Sequence, residues 1–269
     1  MTLLAAALLG IVQGVTEFLP VSSSAHLILA RTFFGWDADR LGLAFDVACH
    51  VGTLVALLLY FRQDVASMLA ALPEMLKPSA SPPARLAWLL VIGTLPVGIT
   101  GLLFSDWIEA SARTPSVAAA ALAVGGVLLL IVERVGKRRS DIEQLRVSDA
   151  LLIGAAQALA LVPGISRSGA TITAAMFLGL RREAAARFAF LLGILAISAA
   201  AAGEVLPVLH EFRLPGVAQV FAVGAATSAV VGYVVIKYFM RYLSRRSLDA
   251  FGTYRLGLAA AAGLWLWRH

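Results

Sequence analysis

Apolar residues dominate ten stretches of the chain, and polar residues gather between them. The stretches run approximately over 2–19, 22–35, 41–61, 86–105, 116–134, 149–162, 166–180, 186–206, 217–237 and 250–267. Several approach or exceed the roughly 20 apolar residues that a helix needs to cross a bilayer. The pattern predicts an all-α integral membrane protein that crosses the membrane several times.

Four of the stretches form two pairs, 2–19 with 22–35 and 149–162 with 166–180, each joined by a short motif of proline and serine. As helices, the two members of the second pair would each be about 21–23 Å long, which is shorter than the hydrocarbon core of about 30 Å. Irregular backbone at membrane depth is tolerated only where protein or a cavity shields it. We therefore expect two re-entrant helical hairpins.

The two pairs also resemble each other in sequence. At an offset of 144 positions, "ALLGIVQGVTEFLPVSSSAHLI" lies over "LLIGAAQALALVPGISRSGATI" without a gap. Such similarity indicates a duplicated unit, here one hairpin followed by three spans, and an odd number of crossings inverts the second unit. We predict a single membrane domain, 1–269, built as an inverted-topology repeat of six transmembrane helices plus two re-entrant helical hairpins. Its parts are repeat 1 (1–136), a cytoplasmic linker (137–148) and repeat 2 (149–269).

Composition and charge support this topology. The chain is 60% apolar and only 14% charged, with a mean hydropathy of +0.86, which excludes an ordinary soluble domain. Its net charge of +6 is better explained by basic loops at a lipid surface than by nucleic acid, which we do not expect as a partner.

The basic residues are unevenly distributed. Of the 22 lysines and arginines, sixteen fall on the side of the 137–148 linker, Arg255 among them, five fall on the other side, and Arg167 lies within the second hairpin. This bias predicts a cytoplasmic linker, with both termini and the mouth of the first hairpin facing outward. The first apolar stretch has no basic region before it, so we expect no cleaved signal peptide.

Polar and ionisable residues are concentrated at the tips of the two predicted hairpins. The first tip region carries Gln13, Glu17, Ser22, Ser23, Ser24 and His26, and the second carries Gln157, Gly164, Ser166, Arg167, Ser168 and Thr171. Ionisable residues at membrane depth are costly and usually functional. Glu17, His26 and Arg167 are therefore the principal candidates for a functional site.

Several of these residues also have a structural interpretation. Ser22 and Ser166 follow prolines closely and could cap helices, Gln157 could join helices by hydrogen bonding, and Arg167 could simply pair with Glu17. Asp46 and His50, four positions apart on one helix face, are either outer partners of the site or a capping aspartate and a buried histidine.

The second tip suits an anion. Gly164 allows close backbone approach, N–H groups at the start of 166–180 favour negative charge, and Arg167 offers a planar fork of donors for phosphate oxygens. Ser166, Ser168 and Thr171 add hydroxyl donors. These features predict binding of a phosphate group.

The first tip supplies residues that could act on that phosphate. Glu17 could be a ligand of a divalent metal or a general base, and His26 beside Ser22, Ser23 and Ser24 offers a base with a nucleophile. Together the two tips predict phosphoryl transfer or hydrolysis on an amphiphilic substrate whose phosphate headgroup enters the site. A transporter of a lipid phosphate is the alternative, because inverted repeats are typical of transporters, and a purely structural protein is disfavoured by the ionisable cluster.

Two motifs carry a resemblance to a known family. "QGVTEFLPVSSSAH" (13–26) has the form E/Q-x-x-x-E followed by Pro-x-Ser-Ser and a histidine, and "PGISRSGAT" (163–171) has the form P-G-x-S-R-S-x-x-T. Over nearly its whole length the chain resembles the undecaprenyl-diphosphatases of the bacitracin-resistance protein family. The resemblance implies hydrolysis of undecaprenyl diphosphate to undecaprenyl phosphate and inorganic phosphate, which recycles the lipid carrier of cell-wall synthesis.

The resemblance also implies residue roles and a location. Glu17, Ser23, His26 and Arg167 would be catalytic, with Ser22, Ser24, Gly164, Ser166, Arg167, Ser168 and Thr171 binding the diphosphate. Mg²⁺ or Ca²⁺ would bind Glu17, and also Gln13, a position where family members often carry Glu. Asp46, His50 and Gln157 would lie behind these residues. The site would open to the periplasmic face of the bacterial cytoplasmic (inner) membrane.

Three nucleophiles remain open: Ser23 with His26 as its base, His26 itself, or a metal-activated water. Glycine patterns such as "GTLPVGITG" (93–101) could pack helices within one chain or between two. A homodimer is therefore also an expectation.

Overall fold

A computed structural model describes residues 2–34, 42–75, 77, 80–208 and 216–268. Within these ranges the chain is helical, without a strand, and its only bridge is an isolated parallel one between Ser140 and Leu180. The helices are α1 Leu3–Thr16, α2 Ser23–Phe34, α3 Gly42–Tyr60, α4 Arg62–Ala70, α5 Pro82–Ala112, α6 Pro115–Val135, α7 Val147–Leu159, α8 Arg167–Phe177, α9 Arg182–Val208, α10 Val217–Leu243 and α11 Asp249–Arg268. The predicted all-α class is confirmed.

In the part of the chain that the structure describes, four helices are long and apolar enough to cross a membrane. They contain Pro82–Phe104, Pro115–Val135, Arg182–Gly203 and Val217–Leu243. A fifth span is formed if α3 and α4 count as one, although the chain bends by 76° between them. The protein is therefore a multi-pass membrane protein. The count of six spans stays a prediction, since 250–267 carries a buried arginine and is not among these helices.

The two predicted hairpins are pairs of short helices. Helices α1 and α2 have 14 and 12 residues, and α7 and α8 have 13 and 11. At 1.5 Å per residue each is at most about 21 Å long, too short to cross the hydrocarbon core. The ends of the predicted stretches 2–19 and 149–162 form turns instead of helix. The tips that join each pair are therefore longer than expected.

The backbones of the two tips match at their equivalent serines. Ser22 and Ser166, 144 positions apart, both adopt positive φ angles, of 73° and 71°. The Ser166 hydroxyl accepts from the Gly169 amide at 3.1 Å, and the Ser22 hydroxyl from the Ala25 amide at 3.5 Å. Positive φ is uncommon outside glycine and is found at functional sites. The predicted equivalence of the two tips therefore extends to their backbone conformation.

Each hairpin packs against a long helix of the other half of the chain. Gly10 on α1 lies against Gly224 on α10, and Gly154 on α7 lies against Gly93 on α5. A Cβ on Gly10 or Gly154 would collide with the carbonyl oxygen of the opposing glycine. Gly93 thus serves packing within one chain. The homodimer and the repeat boundaries at 136 and 149 stay predictions.

Aromatic residues fill the core beside the first tip. The ring of Phe18, fully buried, lies edge-on to Phe190 of α9 with centroids 5.7 Å apart. Phe190 in turn contacts the rings of Phe61 and Phe239, each at 6.2 Å. Because aromatic packing of this kind fixes side-chain position, Phe18 anchors the backbone directly after Glu17.

Candidate functional site

Glu17 is the centre of the site. Its carboxylate is buried at the end of α1 and accepts three hydrogen bonds. Oε2 accepts from the hydroxyl of Ser23 at 2.6 Å and from Nε2 of Gln13 at 2.9 Å, and Oε1 accepts from Nη2 of Arg167 at 2.8 Å. Such charge-assisted bonds are the strong ones in proteins. One carboxylate thus brings together the first tip, the start of α2 and the start of α8.

Arg167 has a free donor besides the one that binds Glu17. Its Nη1 is buried and has no hydrogen-bond partner. The guanidinium lies against Gly193 of α9, where any Cβ would overlap Nη1. A buried donor without a partner is costly. An unpaired guanidinium donor is suited to an anionic oxygen, which is the kind of ligand that the sequence predicts for Arg167.

A cavity of about 570 Å³ opens beside this ion pair. Its polar wall carries Glu17, Ser22, Ser23, Ser24, His50, Gln157, Ser166 and Arg167. The rest of the lining is small and apolar residues of α5 and α9, including Val97, Gly98, Gly101, Leu102, Ala196, Ile197, Ala200 and Gly203. The lining of the cavity is therefore amphipathic, with one set of charged and polar residues and one set of apolar residues.

His26 does not contact Ser23. Its Nδ1 donates to the carbonyl of Ser22 at 2.7 Å, and its Nε2 bonds the hydroxyl of Tyr254 at 2.8 Å, with the two rings stacked. The predicted Ser23–His26 pair is therefore not formed. The Ser22 carbonyl also accepts from the backbone amide of His26 at 3.3 Å, and His26 is not among the residues that line the cavity.

His50 lies where His26 was expected. Its Nε2 is 3.7 Å from Oε2 of Glu17, and its Nδ1 bonds the Asp46 carbonyl at 2.8 Å. Because the carbonyl oxygen can only accept, Nδ1 carries the hydrogen in that bond, and Nε2 is the ring nitrogen that faces Glu17. His50 is thus in the site itself rather than behind it.

Asp46 has a different role from the one expected. Its carboxylate binds the guanidinium of Arg31 at 2.5 and 2.9 Å, and Arg113 lies 3.6 Å away. Asp46 touches His50 only through its backbone carbonyl. Its carboxylate therefore joins α2 to α3 and does not act on the cavity.

The second tip divides into residues that line the cavity and residues that build the tip. Ser166 and Arg167 are in the cavity wall. The Ser168 hydroxyl donates to the Leu19 carbonyl of the first tip at 3.0 Å, and the Thr171 hydroxyl donates to the Arg167 carbonyl at 2.7 Å. Gly164, with φ of 101°, presents its carbonyl away from the cavity. The predicted phosphate contacts of Gly164, Ser168 and Thr171 are thus replaced by structural ones.

The two equivalent glutamines are both buried and incompletely bonded. Gln13 uses its amide nitrogen for Glu17, and its Oε1 has no partner. Gln157 lines the cavity, and neither Oε1 nor Nε2 has a partner. The proposed role of Gln157 in joining helices is not seen. Both atoms of its amide are buried, without a hydrogen-bond partner among the described residues.

Arg255 was missed by the sequence analysis, which assigned it to the cytoplasmic side. It is 1% exposed, and its guanidinium lies between the two tips. The signal was present in the sequence, because an arginine within the apolar stretch 250–267 is as unusual as Arg167 in the second hairpin.

A divalent cation fits the donor atoms in part. Among the residues with described coordinates, no group of three or more His, Cys, Asp and Glu could hold a metal. However, Glu17 and His50 both line the cavity, with Nε2 of His50 3.7 Å from Oε2 of Glu17. Gln13 bonds the same carboxylate oxygen through Nε2, and its Oε1 has no hydrogen-bond partner among the described residues. Mg²⁺ commonly binds one or two carboxylates together with substrate phosphates. These atoms therefore suit a cation that a diphosphate helps to coordinate.

Comparison with known proteins identifies the family to which the chain belongs. The family model described as bacitracin resistance protein BacA matches residues 6–261. A protein of Rubrobacter xylanophilus named undecaprenyl-diphosphatase is 48% identical over 261 residues, covering 96% of both chains. Proteins of the same name from Moorella thermoacetica and Saccharophagus degradans are 43% and 42% identical, covering 100% and 99% of both chains. The chain therefore belongs to the BacA family of bacitracin resistance proteins.

Proposed function

We propose that the protein hydrolyses undecaprenyl diphosphate to undecaprenyl phosphate and inorganic phosphate, and so recycles a lipid carrier of cell-wall synthesis. The name shared by its relatives supports the activity. The observation that carries the proposal is the Glu17 carboxylate, which holds both the Ser23 hydroxyl and Arg167 at the polar end of an amphipathic cavity.

The polar end binds the diphosphate. The unpartnered Nη1 of Arg167 donates to a phosphate oxygen while Nη2 keeps its bond to Glu17. Hydroxyls of Ser22, Ser24 and Ser166 line the same wall, and the N-terminus of α8 adds positive partial charge. Arg167 can therefore bind the Glu17 carboxylate and a phosphate at the same time, through different nitrogen atoms.

Ser23 is the nucleophile in this proposal. Its hydroxyl oxygen attacks the terminal phosphorus, its proton passes to Glu17 along the 2.6 Å hydrogen bond, and the bond to the bridging oxygen breaks. Undecaprenyl phosphate leaves with that oxygen. Water then attacks the phosphorus of the phosphoserine while Glu17 returns its proton to the Ser23 oxygen, and the bond between that oxygen and phosphorus breaks. The hydrogens of the water leave with inorganic phosphate, and the Ser23 hydroxyl and the Glu17 carboxylate are restored. His26, bonded to Ser22 and Tyr254, takes no proton from Ser23.

We also propose a divalent cation, Mg²⁺ or Ca²⁺, held by Glu17, Gln13 and His50 with diphosphate oxygens. Such an ion would neutralise charge on the diphosphate and make its phosphorus more electrophilic. Gln13 and His50 are neutral ligands, so the protein contributes a single negative charge, which Arg167 already offsets. Tight binding therefore requires the substrate.

The apolar wall of the cavity receives the lipid chain. Gly98 and Gly101 of α5 and Gly203 of α9 leave open space in which an added Cβ would meet no atom within 4 Å. We propose that the protein lies in the bacterial cytoplasmic membrane with this cavity opening to the outer face and both termini outward. The basic ends of α6 and α9, with Arg134, Arg138 and Arg182, then lie at the cytoplasmic surface.

A phosphate-release assay tests the proposal. Purified protein in detergent, given undecaprenyl diphosphate and titrated with Mg²⁺ or Ca²⁺, releases phosphate, and Arg167→Ala abolishes release while leaving the protein folded. Arg62→Ala, an exposed arginine on α4, serves as the matched control. No release by the wild type under either metal overturns the proposal. A transporter of lipid phosphate would instead move labelled lipid across liposomes and lose nothing in Ser23→Ala.

A further inference from the structure

Arg255 joins the two hairpin tips and the helix behind them. Its guanidinium donates to the carbonyls of Gly164 and Ile165 in the second tip, each at 2.9 Å, and to Pro20 in the first tip at 3.3 Å. Further bonds reach the carbonyls of Ala121 and Leu122 on α6, at 3.3 and 3.2 Å. One side chain of α11 thus contacts three separate segments.

The charge of this guanidinium has no carboxylate partner. Within the ranges that the structure describes, Arg255 forms no ion pair, and it is 1% exposed. Burying an unpaired charge is expensive, and five carbonyl oxygens are what compensates it. A lysine offers three donors from one nitrogen and lacks the planar fork, so it cannot reach all three segments.

The carbonyls that Arg255 binds lie next to the reacting groups. Pro20 stands midway between Glu17 and Ser23, and Ile165 directly precedes Ser166 and Arg167. Two other links cross between the tips, Glu17–Arg167 and Ser168–Leu19. In the first of these, Arg167 is also the residue proposed to bind a phosphate oxygen, through Nη1. The Arg255 link involves no group that contacts substrate and therefore persists through turnover.

We infer that Arg255 is a positioning residue that holds the tip carrying Glu17 and Ser23 in register with the tip carrying Arg167. The inference rests on the proposed function, since that register aligns the Ser23 hydroxyl with a phosphate bound by Arg167. Misplacement of reacting groups by about 1 Å can lower a rate about a hundredfold. Loss of the clamp therefore lowers kcat more than it raises KM.

The chain allows the guanidinium to be moved without being replaced. Gly125 of α6 lies against Arg255, and a Cβ there would overlap its guanidinium. Gly125→Ala therefore displaces the clamp and keeps its charge. Gly257, two positions after Arg255 on the same helix, has open space around it, so Gly257→Ala is the matched control.

The experiment compares wild type, Arg255→Lys, Arg255→Gln, Gly125→Ala and Gly257→Ala in detergent. Thermal unfolding, kcat and KM are measured for each, together with hydrogen exchange of segments 17–26 and 160–170 by mass spectrometry. We expect Arg255→Lys and Gly125→Ala to remain folded, to lose between about tenfold and a hundredfold in kcat with a smaller change in KM, and to exchange faster in both segments. Gly257→Ala matches the wild type.

Three outcomes overturn the inference. One is an unchanged kcat in folded Arg255→Lys and Gly125→Ala. Another is a loss of activity that only follows the folded fraction, which is the signature of a purely structural arginine. The third is exchange that rises in one tip alone. A wild type without activity, combined with faster exchange in both tips of the variants, counts against the proposed hydrolysis and leaves the clamp supported.

Discussion

The hydroxyl of Ser23 donates a 2.6 Å hydrogen bond to the carboxylate of Glu17, although His26 is the closer of the two along the chain. The imidazole of His26, three residues further along the same helix, is bonded to Ser22 and Tyr254 instead. The base available to Ser23 is thus the carboxylate at the end of α1.

Ser23→Ala is expected to abolish phosphate release, by at least a thousandfold, because the attacking oxygen is lost. Acid-quenched wild type should contain phosphoserine at position 23, detectable by mass spectrometry of the peptide. Ser67→Ala, on the exposed face of α4, serves as the control and should retain full activity. Phosphohistidine at His26, or single-turnover hydrolysis by Ser23→Ala, would show that another group attacks.

His26→Asn is expected to retain more activity than His26→Ala. The amide of asparagine can donate to the Ser22 carbonyl in place of Nδ1 and so preserve the tip, whereas alanine cannot. The measurement is kcat for both variants at matched stability. Equal inactivity of the two would instead support His26 as an acid or base, since neither substitute titrates.

Gln13→Glu should lower the Mg²⁺ concentration needed for half-maximal activity, because it adds a second carboxylate beside Glu17. His50→Ala should raise that concentration, because it removes a neutral ligand. Both shifts should also appear in the metal dependence of thermal unfolding with the unhydrolysed substrate analogue methylene diphosphonate, which needs no turnover. Midpoints identical to the wild type in both variants would exclude a cation at this position.

Gly98→Leu and Gly101→Leu should raise KM for undecaprenyl diphosphate by about tenfold, since each fills the apolar side of the cavity. Farnesyl diphosphate, with a shorter chain, should be affected less. Gly263→Leu, at a position with open space on α11, is the control for added bulk. An equal rise in KM for both substrates would mean that the lipid chain leaves the site by another route.

Glu133→Gln should destabilise the protein by at least about 2 kcal/mol without lowering kcat of the folded fraction. The buried Glu133 carboxylate accepts from Arg182 at 2.5 and 2.8 Å, from Arg138 at 2.9 Å and from the Leu248 amide at 2.8 Å. Glu133 therefore links the start of α9 and the start of α11 to the end of α6, and it is not among the residues that line the cavity. Thermal unfolding and kcat together check this, and a selective loss of kcat would contradict it.

Much of the architecture could be predicted from the sequence. Apolar length distinguishes short paired helices from full spans, and the offset of 144 positions identifies the two tips as equivalent before any coordinate is seen. Glu17 and Arg167 can also be identified from the sequence, because a charge in an apolar stretch is costly unless it is paired or has a functional role.

Contacts between distant segments could not be predicted in this way. His26 and His50 are both plausible neighbours of Glu17 in the sequence, and the choice depends on the contact of His26 with Tyr254 of α11 and on how α3 packs against α1. Arg255 was counted as a surface charge because charge counting ignores where a helix is buried. Local pattern reflects the period and polarity of each helix, whereas the partner of a side chain depends on the packing of helices that lie far apart in the chain.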